Sequence, residues 1–71
     1  MTVSEAIEYL KQLNNQNEPV FVLRGRDTLA ESVILFWVRE AIRCGVPTMK
    51  IHGATGIANA CREWPNKKIP D

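Results

Sequence analysis

Arg24-Gly25-Arg26 sets two guanidinium groups on either side of a glycine, directly ahead of Asp27 and Thr28, residue types that open helices. Arginine grips phosphate and carboxylate through forked pairs of N–H groups, and helix starts attract anions. The chemistry on offer is capture of an acidic group. Lys67 and Lys68, far along the chain, have the same character and join such a site if subunits bring them to the arginines. Against that stands a simpler use of the charge, an intramolecular pair with Asp27 or Glu31. No glycine-rich phosphate loop followed by Lys and Ser or Thr is present. Gly25 suits a backbone bend, since glycine reaches conformations closed to other residues.

The remaining reactive side chains form no constellation. Cys44, His52 and Cys61 are spaced Cys-x7-His-x8-Cys, which is not a zinc spacing and lacks a fourth ligand. His52, the only histidine, has no nucleophile partner in a Ser-His-acid or Cys-His arrangement and reads as a surface residue. Glu5 and Glu8 share a helical face as a solvated edge rather than an acid–base pair. Cys44 and Cys61 fall near apolar stripes, where free thiols behave as small buried hydrophobes. Trp37 and Trp64 also fall on apolar stripes and are expected in the core, with Trp37 the natural interface anchor if exposed. No catalytic residue, metal site or cofactor is assigned.

The elements that must position these groups are legible from capping and periodicity. Thr2 and Glu5 form a capping-box pattern, and Val3, Ala6, Ile7, Leu10 and Leu13 recur at helical steps, giving a first helix over about 3–14. Pro19 disfavours helix in the residue before it. Val20 to Arg24 then reads as a short extended segment that either crosses the helices or pairs with its copy in another subunit. A second helix over about 28–44 starts at Asp27 or Thr28, with Thr28 and Glu31 as a second capping box, and stops at Gly45. A third over about 48–64 takes Pro47 at its first position and ends at Pro65. Gly53 and Gly56 either break it, weaken it, or let a neighbouring helix approach closely. The polar tail after Pro65 is expected to lay Ile69 back on the core.

The middle of the second helix is the unusual part. Val33 to Val38 are six apolar residues in succession, including Leu35, Phe36 and Trp37, so the helix is hydrophobic nearly all round. Two companion helices cover two faces. The leftover face, with Val20 and Val22 of the extended segment, is expected to be an interface.

Seventy-one residues make one small domain, 1–71, which buries only about 60% of the surface its unfolded chain exposes. Composition is that of a globular protein, 45% hydrophobic and 24% charged. No apolar run is long enough to span a membrane and the N-terminus shows no secretory signal, so a cytoplasmic location is expected. Residues 1–18 carry a net −2 and residues 19–71 a net +3, far below the basic footprint of a dedicated nucleic-acid domain.

The phrases EPVFVLRGRD from Glu18, FW at Phe36-Trp37 and EWPNKKIPD from Glu63 resemble a group of short bacteriophage and prophage proteins of uncharacterised role, over most of the chain from Glu18 to Asp71. The resemblance supplies no activity and no site residues. It implies a setting in which small accessory proteins bind host or phage proteins, inside the host cell, or sequester small molecules. The expectation is a mostly α, three-helix, non-enzymatic module that forms a homo-oligomer and binds a host or phage protein. The alternative is an oligomer that sequesters a nucleotide-like anion through Arg24, Arg26, Lys67 and Lys68, brought together between subunits.

Overall fold

The structure, a computed structural model, describes residues 1–70. The chain is mostly helical: α1 Val3–Lys11, α2 Ala30–Arg43 and α3 Thr48–Glu63. No strand forms among the described residues, and one isolated parallel bridge joins Asp27 to Lys68. None of the helices is long and apolar enough to cross a membrane.

Local chemistry accounts for the start of α1. The Glu5 carboxylate accepts the Thr2 amide at 2.7 Å, while the Glu5 amide donates to the Thr2 hydroxyl at 3.3 Å. This reciprocal box satisfies two of the amides that a helix start leaves free. The helix ends at Lys11, three residues before the expected limit. It packs against neither α2 nor α3.

α2 and α3 form the packed unit. At the end of α2 the Val46 amide donates to the Ala41 carbonyl at 3.0 Å and the Gly45 amide to the Ile42 carbonyl at 3.1 Å. With Gly45 at φ +79°, this is a Schellman ending, which requires a residue comfortable in the left-handed region. Pro47 caps α3 as an extended residue just outside it, not as its first turn. The most buried positions of the seam are small: among the described residues Ala30, Ala41, Ala58 and Cys61 are the only buried ones. Short side chains let the helix axes approach and leave little apolar volume between them. Glu31 reaches across to Arg62 at 3.6 Å, a half-exposed pair that adds modestly to the seam.

Several expectations are corrected. α1 does not cover α2, so α2 has one companion instead of two. The second capping box is absent: α2 begins at Ala30 behind Leu29, with no side-chain cap. The Thr28 amide is taken by the Lys68 carbonyl at 3.0 Å, and Glu31 is turned towards Arg62. Asp27 instead accepts the Leu29 amide at 2.7 Å, closing an Asx turn ahead of the helix. α3 runs unbroken through Gly53 and Gly56, and a methyl group built at either meets nothing within 4 Å, so neither serves a close helix approach within the chain. Trp37 is 44% exposed and Trp64 58%, so neither tryptophan is a core residue. Both cysteines are free thiols, but only Cys61 is buried; Cys44 closes the exposed end of α2. Ile69 is exposed and does not return to a core.

Candidate functional site

Two surfaces stand out, one basic and one apolar. The basic one is built by a loop and a tail. Residues 19–24 run without helix or strand, then turn at Gly25 and Arg26 towards α2. After α3, Pro65 and Asn66 reverse the chain, Asn66 adopting φ +59°, a left-handed conformation that asparagine tolerates better than most residues. The tail thereby returns to the loop. The Lys68 amide donates to the Arg26 carbonyl at 2.7 Å, and the Lys67 ammonium donates to the Gly25 carbonyl at 3.0 Å. The Asp27 amide donates to the Arg24 carbonyl at 2.9 Å. Three successive carbonyls of the Arg-Gly-Arg segment are therefore engaged, and Gly25 lies under the Trp64 ring.

Between loop and tail is a depression of about 220 Å³ lined by Val22, Arg24, Arg26, Asp27, Lys68 and Pro70. It collects three of the four basic residues named from the sequence within one chain; the fourth, Lys67, is beside them on the Gly25 carbonyl. They were expected to meet between subunits; three of them already meet within one chain. One chain suffices because the 65–66 turn carries the tail back across some 40 residues of sequence. The expected arginine–carboxylate pair does not form either. Among the described residues neither the Arg24 nor the Arg26 guanidinium has an ion-pair or hydrogen-bond partner.

The apolar surface has three parts. On α2, steps of 100° per residue put Ala30, Ile34, Val38 and Ala41 towards α3, with Val38 half-buried. Val33 and Leu35 fall on opposite flanks and Phe36 on the outer side, where it is 56% exposed with the Arg39 guanidinium 5.1 Å from its ring centre. Ser32, Leu35, Phe36 and Arg39 border a second shallow hollow there. The extended segment is the second part. Val20 and Val22 are exposed, and Phe21, which sequence reasoning did not single out, is 85% exposed. The side-chain alternation of extended chain sends Phe21 to the opposite side from its two valines, a signal that was available. The backbone of Val20 to Leu23 makes no hydrogen bond within the described chain. The third part is the α1 stripe of Val3, Ile7 and Leu10, all exposed. Its helical period made α1 an expected companion of α2, yet periodicity shows that a face wants a partner and not that the chain supplies one.

The other candidates stay apart. His52 is exposed on α3. No group of three His, Cys, Asp or Glu among the described residues could hold a metal ion. Glu8 pairs with Lys11 at 3.5 Å as a solvated helix pair. Glu5 is held below the usual carboxylate range, first by the Thr2 amide, then by the Thr2 hydroxyl interaction and the positive N-terminus.

No family model, no curated protein and no solved structure matches this chain.

Proposed function

We propose that the chain is a non-enzymatic, self-associating interaction module, whose immediate partner is a second copy of itself. The observation that carries this reading is surface area. A compact monomer of this mass exposes about 4,450 Å² by the usual scaling with mass, whereas the chain exposes 6,095 Å². Its radius of gyration is 13.1 Å, against about 11 Å for a compact domain of the same length. The surplus of roughly 1,600 Å² is about twice what one partner contributes to a standard interface. It is contributed by side chains that normally fill cores: the α2 flank, the 20–22 segment and the α1 stripe.

A second copy fits the charges as well as the area. α1 carries a net −1 from Glu5, Glu8 and Lys11, whereas Arg39 on the outer side of α2 has no carboxylate partner among the described residues, Arg43 being paired with Glu40. An α1 laid on the partner's α2, with the reciprocal contact on the other side of a two-fold axis, buries both stripes and opposes unlike charges. The unpaired backbone at 20–23 is also a template for pairing with its copy. One such dimer uses about half of the surplus. The remainder is the surface by which the assembled module would hold a host or phage protein, the partner class implied by the resemblance.

Light scattering across a dilution series tests the reading. The full chain is expected at the mass of a dimer or larger, and Phe36→Asp at that of a monomer with an unchanged helical circular dichroism spectrum. Phe36 points away from α3, so the variant keeps the α2–α3 seam. A wild-type monomer throughout the series overturns the proposal.

A further inference from the structure

We propose that the depression between the Arg-Gly-Arg loop and the C-terminal tail binds a phosphate monoester, gripped by Arg24 and Arg26. The argument begins with charges left over. Each nearby carboxylate has another engagement: Asp27 receives the Leu29 amide at 2.7 Å, and Glu31 pairs with Arg62 at 3.6 Å. Arg24 and Arg26 line the same depression, and neither guanidinium has a partner among the described residues. Arg24 and Arg26 bring two positive charges to the hollow against the one carboxylate that lines it, Asp27, and an anion between the arginines offsets the surplus.

Preorganisation is the second strand of the argument. The carbonyls of Arg24, Gly25 and Arg26 are held by the Asp27 amide, the Lys67 ammonium and the Lys68 amide at 2.9, 3.0 and 2.7 Å. The backbone that carries both side chains is thus fixed before any ligand arrives, so binding costs only the ordering of two side chains. Lys67 acts here as a positioning residue: its ammonium braces the loop and is not offered to the ligand.

Ligand class follows from donor number and size. A carboxylate offers two coplanar oxygens and one negative charge, whereas a phosphate monoester offers three terminal oxygens and close to two charges, a better match for two guanidinium forks arriving from different directions. The 220 Å³ hollow falls below the roughly 300–1,000 Å³ of sites that enclose a drug-sized ligand. It holds a phosphate group and leaves the rest of the molecule outside. Val22 and Pro70 give the organic part of an ester an apolar surface to lie on. The site lies within one chain and does not depend on self-association.

Titration of the full chain in a phosphate-free buffer, followed by amide chemical shifts, tests this, with inorganic phosphate, adenosine monophosphate, acetate and a single-stranded oligonucleotide as probes. Saturable shifts at residues 24–28 and 67–69 are expected with the nucleotide and with phosphate, and weaker ones with acetate. Arg24→Ala with Arg26→Ala should weaken binding at least tenfold, by about the worth of one charge-assisted hydrogen bond. Arg43→Ala, at the far end of α2 and paired with Glu40, should leave binding unchanged, as should Phe36→Asp. Tighter binding of the nucleotide assigns the site to esters, and equal binding assigns it to the phosphate group alone. No saturation at about 10 mM ligand, equal binding by the double variant, or binding of the oligonucleotide alone overturns the proposal.

Discussion

Glu5 shows what a single residue contributes when its partner is local. Its own amide reaches the Thr2 hydroxyl and its carboxylate accepts the Thr2 amide at 2.7 Å; that amide, then the Thr2 hydroxyl and the positive N-terminus, hold the carboxyl pKa below the ordinary value. A carboxyl whose folded pKa lies below its unfolded one stabilises the fold at pH above the unfolded value and ceases to as pH falls through the folded one. Helicity of α1 should therefore decline on acidification below about pH 4.3. Amide shifts of Glu5 and Ala6 should follow that decline, and Glu5→Gln should flatten it. Thr2→Ala should lower the helix population at every pH, by about 1 kcal/mol of helix stability. Identical pH profiles for wild type and Glu5→Gln would count against the box. The same four-residue pattern at Thr28–Glu31 was equally readable and did not form. Lys68 takes the Thr28 amide and Arg62 takes Glu31, partners that lie more than 30 residues away. Local pattern reveals a cap only where no distant group competes for it.

Elements divide along the same line. All three helices and the glycine ending of α2 were legible, because periodicity, caps and prolines act within a few residues. The tail was not, since its one-residue bridge to Asp27 has no periodicity to announce it. Gly53 and Gly56 mark the point where sequence left several readings and structure leaves one. α3 is continuous through both, and neither has a neighbour where a methyl group would stand. Ala at each site should stabilise the chain by up to about 1 kcal/mol, because glycine loses more backbone freedom on entering a helix. Urea midpoints of Gly53→Ala and Gly56→Ala measure the gain. If either variant raises the midpoint but lowers the mass seen by light scattering, that glycine faces the second copy. If either lowers the midpoint of a monomeric chain, the continuous helix is wrong at that residue.

At the scale of the whole molecule, the sequence showed an excess of apolar residues without showing which would find partners inside. Leu35 and Phe36 read as surplus and are exposed, whereas α1, expected to cover a face of α2, leaves its own stripe exposed too. A buried seam made of three alanines and a cysteine is too thin to hold three helices together. A nine-residue helix packed against neither α2 nor α3 is also shorter than the roughly 12–15 residues that isolated helices need in water. On the proposed reading stability comes from association, which is governed by mass action. For a dimer that unfolds as it dissociates, each tenfold rise in concentration should raise the melting temperature by about 5 °C, given an unfolding entropy in proportion to chain length. Trp64→Phe leaves Trp37 as the sole tryptophan, on the α2 flank, so its emission should shift to the red as dilution frees that surface. A melting temperature independent of concentration, with Trp37 emission equally red at every dilution, would place the whole fold in the single chain. The α2–α3 seam would then have to be stronger than its four buried residues can make it.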